Sequence, residues 1–437
     1  MKSEQIADVV PIDVTPIERA YVDRTPLSAA MGPRARMVMP AGETRAAGYH
    51  TPYPLTLTGA HGVTLTDLDG NDYLDLSNNF TSLLHGHAYP PIVEAVSKVI
   101  GAGTAWPARN CTQIELAELI CDRVPSIELV RFCNSGSEAN MLALHVARTH
   151  TGRHKVLMAK FGYHGSHEAF EAGFFGNEGD HAWPHTIVAP WGDAAAFEMI
   201  LQSQGGEIAA VFLEAAMGSS GLVEAPPEFF HRVIAATRRA GAVFVLDEVI
   251  TLRMATGGHQ VNLGITPDLT TLGKIIGGGY PVGAVGGTAE LMNLLDPSRG
   301  RIFHSGTFNG NPVTTAAGVV SYSHLTAEAI ERMGAQAARL DAHLAASAAA
   351  VGLPFSSRRI GSLINTYFTP VTPAANVVRE DAAIMRGVHL AGMNHGLYFA
   401  SRGLLVLSTV MTEGDIDEAC RRFDAVFADV AAALAGM

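Results

Sequence analysis

Two stretches decide how this chain folds: AVFVLDEV at 242–249 and DLTTLG at 268–273, the latter running straight into Lys274-Ile275-Ile276-Gly277-Gly278-Gly279. Both are short and hydrophobic on both faces, and each ends abruptly at a charged residue, Asp247 or Lys274. Runs of this kind, set between helices, argue for buried strands of a mainly parallel sheet covered by helices on both sides. The same alternation extends outward. PEFFHRVIAATRRAG (227–241) is an amphipathic helix with a glycine stop, and AAVFLE (209–214), KVLMA (155–159) and ELVRFCN (128–134) read as strands, with SEANMLALHVARTH (137–150) as a helix. An α/β domain over 77–330 is expected.

The flanks read differently. Residues 1–48 look like an arm with a short helix, and PLTLTGAHGVTLTDLDGNDYLDL (54–76) alternates as two or three short strands joined by Gly/Asp turns. This N-terminal segment, 1–76, is expected to pack with the C-terminal domain, 331–437. That domain opens on the Ala-rich helix EAIERMGAQAARLDAHLAASAAAVG, contains the strands LINTYFT and LLVLS, and ends in a helix started by a capping box at Thr412-Glu413-Gly414-Asp415. It reads as a smaller α+β domain.

Composition narrows the function. Lys+Arg 30 against Asp+Glu 42 gives a net charge of −12, which argues against nucleic acid or an anionic membrane surface as partner. No stretch is a membrane span, and the charged N-terminus, broken by Pro11 and Pro16, does not read as a secretory signal. Cys111, Cys121, Cys133 and Cys420 form no Cys-x-x-Cys pair, which suits a reduced compartment, and a cytoplasmic location is expected. The 45 glycines exceed the usual ~7% and mark loops where backbone approaches a ligand.

In a parallel α/β sheet ligands collect at the carboxyl ends of strands, and four polar features sit there. Asn134-Ser135-Gly136-Ser137-Glu138 opens a helix and offers backbone N–H groups to an anion, or else is only a capping box. Asp247 ends a buried strand and must be paired or hydrogen-bonded to stay ionised; it could also be a loop cap. Lys274, beside two isoleucines and three glycines, stands where desolvation would lower its pKa and make it a nucleophile; most lone lysines are surface. Phe161-Gly162-Tyr163-His164-Gly165 puts an aromatic face in a turn, for stacking or for the core. Together they match the needs of pyridoxal phosphate: an anion site, a ring stack, a carboxylate for the pyridine nitrogen and a lysine for the aldehyde carbon. No metal-binding pattern is read.

At this point FCNSGSEANMLALHVAR, FGYHG, VLDEVITLR, LTTLGKIIGGGYPVGAVGG and HSGTFNGNP, in that order, resemble the signatures of the class III (fold type I) pyridoxal-phosphate aminotransferases, a likeness running from about residue 37 to 430. The resemblance implies that Lys274 binds the cofactor and Asp247 pairs with its pyridine nitrogen. It implies that Ser135, Gly136 and Ser137 hold the phosphate and that Tyr163 stacks on the ring. It also implies that Thr307 reaches the phosphate of the neighbouring subunit, hence a homodimer. Two departures stand out: Ala215 follows Glu214 where the family often has proline, and Ser137 stands where it often has threonine.

Within the family the chain looks closest to the branch of glutamate-1-semialdehyde aminomutase and the β-amino-acid (β-phenylalanine-type) aminotransferases. Arg45, in MPAGETR, is similar to an arginine that both kinds of enzyme offer to a substrate carboxylate. Arg402, in FASRG, resembles the Ser-Pro-Arg-Gly of the β-amino-acid enzymes. An aminotransferase binds an amino donor and a keto acid in turn, so a second guanidinium has a use that an aminomutase lacks; the alternative for both arginines is a structural ion pair. Tyr49, Tyr53, Phe80 and Phe399 suggest a partly apolar pocket for an aromatic or alkyl side chain. The expected reaction is ping-pong amino transfer from a β-amino acid to 2-oxoglutarate or pyruvate, with an aminomutase-like isomerase as the alternative.

Overall fold

The structure, a computed structural model, describes residues 12–298, 301–369 and 381–435. The readings of 1–11 as a non-secretory N-terminus and of 370–380 as part of the C-terminal domain fall outside those residues. The chain divides into two compact units. The first comprises the segment up to Phe80, His85–Tyr89 and everything from Glu331; the second comprises Thr81–Leu84 and Pro90–Ile330.

In the first unit β1 (Leu57–His61), β2 (Thr64–Asp67) and β3 (Asp72–Asp75) form an antiparallel meander. In the second, seven strands make one sheet: β4 (Leu129–Cys133), β5 (Lys155–Ala159), β6 (Thr186–Ala189), β7 (Ile208–Glu214), β8 (Val243–Asp247), β9 (Leu269–Gly273) and β10 (Gly283–Gly287), in the order β4-β10-β9-β8-β7-β5-β6. From β9 across to β6 the pairs are parallel, while β10 is antiparallel to both its neighbours. β7, β8 and β9 are buried along their whole length, as continuous apolar runs require. Each fully buried Val, Leu or Phe there contributes ~1.5–3 kcal/mol. Helices cover the sheet. Pro227–Arg239 starts with proline in its first turn and buries Phe229, Phe230, Val233 and Ile234, and the chain leaves it through Gly241 at φ 65°.

The first unit is completed by the C-terminal segment. β11 (Ser356–Ile360), β12 (Leu363–Tyr367) and β14 (Leu404–Val406) make a small antiparallel sheet, while β13 (Leu397–Tyr398) joins β3 in parallel. Ile17 and Tyr21 of the N-terminal helix Thr15–Arg24 enter the same core as Val388 and Ala391 of the helix Ala382–Asn394. The last helix, Glu413–Ala435, opens on a reciprocal cap in which Asp415 N donates to Thr412 Oγ1 at 3.3 Å and Thr412 N to Asp415 Oδ2 at 2.8 Å. No described helix is long and apolar enough to cross a membrane.

Candidate active site

Sheet register builds the site. At the carboxyl ends of three neighbouring strands, Glu214 lies opposite Asp247 and Asp247 opposite Thr271, a row of polar residues at the edge of a buried sheet. Lys274 follows β9 directly, with φ at 50°. A β-carbon has little freedom in that left-handed region, so the backbone there is constrained.

Asp247, 5% exposed, is held from three sides. Asn140 Nδ2 donates to its Oδ2 at 2.8 Å, the His164 imidazole Nδ1 lies 2.9 Å from the same oxygen, and Val249 N donates to Oδ1 at 3.0 Å. Asn140 is fixed in turn: its Nδ2 also donates to the His164 carbonyl at 3.0 Å, and its Oδ1 accepts from Thr271 Oγ1 at 2.8 Å. The adjacent Glu248 does a different job. Its carboxylate accepts from Thr251 Oγ1 at 2.5 Å and from the backbone N–H groups of His259 and Gln260 at 2.9 and 2.8 Å, so it closes a loop. Glu214 accepts from Tyr163 N and Gly218 N, both at 2.9 Å, and thereby fixes the backbone under the Tyr163 ring. Burial pushes the Glu214 carboxyl up to about 7, with the His164 side chain and the Asp247 charge pulling in opposite directions.

The cap reading of the 134–138 segment is realised. Ser135 Oγ accepts from Glu138 N at 3.1 Å, and Glu138 Oε2 accepts from Asn134 N at 2.9 Å. This does not exhaust the segment, because the first N–H groups of a helix have no partner within it. Ser137 Oγ accepts from Ser166 N at 3.1 Å, which ties the helix start to the aromatic turn. A β-carbon on Gly136 would lie 3.1 Å from Val249 Cγ2, and one on Gly273 would lie 3.4 Å from Val249 Cγ1 and 3.7 Å from Gly136 Cα. The residue before Lys274, the head of the anion cradle and the loop after Asp247 thus meet at one point. Tyr163, 41% exposed, stands at the rim with its ring edge-on to Phe174 at 5.6 Å.

All four strand-end features therefore come together within the second unit. Asn140 and His164 complete them, and the sequence alone assigns neither a role. Their signal was a polar side chain on a helix face otherwise apolar (Ala139, Ala143, Leu144) and a histidine beside the aromatic of a Gly-bounded turn.

Thr307 is exposed in a loop of the same unit, between Phe303, 94% exposed, and Phe308, 59% exposed. Arg45 and Arg402 belong to the first unit. Arg45 is exposed; its Nη1 donates to Asn79 Oδ1 at 2.7 Å and its guanidinium lies over the Phe80 ring at 5.4 Å, so among the described residues an amide and a ring hold it. Arg402 sits in a turn between β13 and β14 closed by Gly403 N donating to Ala400 O at 2.8 Å. The aromatics expected to share one pocket divide. Phe80 and Phe399 line a small cavity with His50 and His389, whereas Tyr49 and Tyr53 line a separate groove of about 350 Å³ near Met31 and Met39. Tyr53 is drawn there because its hydroxyl meets Thr25 Oγ1 at 3.0 Å and its ring packs on Tyr21 at 5.3 Å.

The residues suit pyridoxal phosphate. Asp247 Oδ1 accepts only the Val249 N–H among its described contacts and keeps acceptor capacity for a protonated ring nitrogen. The helix start at Gly136–Ser137 offers donors to a phosphate, and Lys274 stands on the same strand-end row. No group of described His, Cys, Asp or Glu side chains could hold a metal ion.

Comparison with known proteins identifies the family. Residues 45–427 match the family described as aminotransferase class-III. The chain is 36% identical over 407 residues to the β-phenylalanine transaminase of Variovorax paradoxus, covering 91% of this chain and 92% of that protein. It is also 36% identical over 427 residues to the glutamate-1-semialdehyde 2,1-aminomutase of Sorangium cellulosum, covering 92% and 97%. Its fold superposes on the crystal structure of an ω-transaminase from Sphaerobacter thermophilus with a TM-score of 0.88, at 37% identity, covering 94% of this chain and 99% of that one.

Proposed function

The chain belongs to the class III aminotransferases, and from that premise we propose that it moves the amino group of a β-amino acid to a keto acid such as 2-oxoglutarate or pyruvate. The observation that carries this reading is the second guanidinium: Arg402, in the turn closed by Gly403, in addition to Arg45. Two carboxylate-bearing substrates that bind in turn give both arginines work.

Enzymes of this family depend on pyridoxal phosphate, which when bound supplies an electron sink for the carbon that loses its proton. The chain supplies the rest. The N–H groups at Gly136–Ser137 and the hydroxyls of Ser135 and Ser137 would hold the phosphate, and Tyr163 would stack on the ring. Asp247, oriented by Asn140 and His164, would present its carboxylate to the ring nitrogen. Lys274 would hold the cofactor, and its Nζ, freed by substrate, would shuttle one proton within each half-reaction: off the amine-bearing carbon to the cofactor in the first, and from the cofactor to the carbon that gains the amine in the second. Arg45 and Arg402 orient carboxylates. A second copy of the chain covers the exposed Phe303–Phe308 loop and receives Thr307 at its phosphate site; two large aromatics left in water support that reading. Four free thiols support a cytoplasmic location.

Amino transfer separates this reading from the aminomutase one. Incubated with β-phenylalanine and 2-oxoglutarate, the enzyme should form glutamate in step with loss of the β-amino acid. Isomerisation of glutamate-1-semialdehyde without any keto acid, together with no glutamate formed, overturns it.

A further inference from the structure

In the first unit a buried histidine has no hydrogen-bond partner among the described residues at either nitrogen. His389, on the helix Ala382–Asn394, is 4% exposed, and both Nδ1 and Nε2 lack one. Its ring packs edge-on against His50 at 4.8 Å and against Phe399 at 5.6 Å. His50 directs Nδ1 toward the Thr51 carbonyl at 3.4 Å, and its Nε2 is likewise buried without a protein partner. Both imidazoles line one cavity of about 10 Å³, the size that holds a single water molecule. A buried imidazole nitrogen without a partner is costly, so such a cavity favours a polar occupant.

The rest of the lining gives the cavity its importance. The lining includes Ala47 and Gly48, two and three residues after Arg45, and Ala400 and Ser401, directly before Arg402. It also includes Phe80, the ring under the Arg45 guanidinium. Both arginine-bearing segments therefore line the cavity that holds the imidazole pair. Burial also holds the pair neutral, His50 lowered to about 4 and His389 well below the usual range, so each ring can both donate and accept.

We propose that His50 and His389 bind one water between them and that this water, bonded to the segments on either side, sets the positions of Arg45 and Arg402. His389 is then a positioning residue for carboxylate recognition. The positioning role rests on the reading of the two arginines given above; the water site does not.

The test uses the cofactor-loaded enzyme and two variants. His389→Phe keeps a ring but cannot hold the water, whereas His389→Gln keeps a donor and an acceptor. His389→Phe should raise KM for β-phenylalanine and for 2-oxoglutarate about tenfold with kcat within about twofold, and His389→Gln should recover most of that loss. A general packing defect would instead lower kcat and stability, with glutamine no better than phenylalanine, and that result overturns the positioning role. A crystal structure of the wild type should show the water against His389 and its loss in His389→Phe; a dry cavity overturns the site whatever the kinetics. If Arg45→Ala and Arg402→Ala leave both KM values unchanged, the carboxylate reading and the positioning role fall together, and the crystal structure alone decides the water.

Discussion

The strand-end row of the second unit and the arginine segments of the first are built on opposite principles. Asp247 is locked by Asn140, His164 and a backbone N–H, and Asn140 is itself locked by Thr271. Asp247 and Thr271 belong to buried parallel strands, Asn140 to the helix Gly136–Thr151, and His164 to the turn that follows β5. Arg45 instead rests on one amide and one ring, exposed, and Arg402 rides a four-residue turn. Groups fixed by a sheet are ready before any ligand arrives, which suits chemistry common to many substrates. Groups on turns can be exchanged without disturbing the core. Under the proposed function, the reaction type belongs to one unit and the choice of substrate to the other.

The sharpest break in that division comes from the row. Lys274→Ala should abolish amino transfer, and borohydride trapping of the wild type should place the cofactor's mass on the peptide containing Lys274; a label on Lys160 would refute the assignment. Asp247→Asn should retain cofactor yet lose roughly a hundredfold or more in kcat, since an amide cannot stabilise a protonated ring nitrogen. A loss within about tenfold, ~1.4 kcal/mol of barrier, would mean that Asp247 only closes a loop, as its neighbour Glu248 does.

The arginines should give a smaller and divided effect. If Arg45 holds the β-amino acid carboxylate and Arg402 that of the keto acid, each alanine variant should slow one half-reaction roughly a hundredfold, the loss of one charge-assisted bidentate pair, and spare the other. Lysine should rescue poorly at either place because its point charge lacks the planar fork. Rapid-mixing spectroscopy of each half-reaction measures the two separately. Equal small losses in both would make the arginines structural and favour the aminomutase reading.

The same contrast explains what could be read from the sequence. β7, β8 and β9 announce themselves as continuous apolar runs, and the polar residues ending them are visible as interruptions, so the α/β fold and the cluster at the strand ends were both legible. β10 was not. Gly283-Ala284-Val285-Gly286-Gly287 carries almost no strand signal, because its glycines answer to neighbours distant in sequence: a β-carbon on Gly283 would lie 1.9 Å from the Ser135 carbonyl oxygen. β6 is only four residues long and was lost between turns. The pocket expected from Tyr49, Tyr53, Phe80 and Phe399 failed for a related reason. Proximity in sequence to an arginine says nothing about which face of a loop a ring takes, and Tyr53 is claimed by Tyr21 and Thr25.

The smallest effect tests whether the two units also differ in their response to acid. In the second unit burial raises the Glu214 carboxyl to about 7, from an ordinary value near 4.5. Its folded form binds the proton more tightly than its unfolded form, so the associated stability is full below about pH 4.5, falls as pH rises and is gone above about 7. In the first unit His50 is lowered to about 4 from 6.5, by burial foremost, with Arg386 lowering it and the Thr51 carbonyl and Glu43 opposing; burial and the neighbouring His50 lower His389. There the unfolded chain binds protons first, so stability is full above about pH 6.5 and is lost as pH falls toward 4. Each group changes stability by at most ~1.4 kcal/mol per pH unit within its window. Hydrogen exchange, corrected for intrinsic rates, should show peptides of the first unit opening more readily as pH falls from 6.5 to 5, while those around Glu214 become better protected. Glu214→Gln should flatten the second trend and leave the first. Parallel trends in both units would mean that neither buried group governs its surroundings, and that the two units respond to acid as one body.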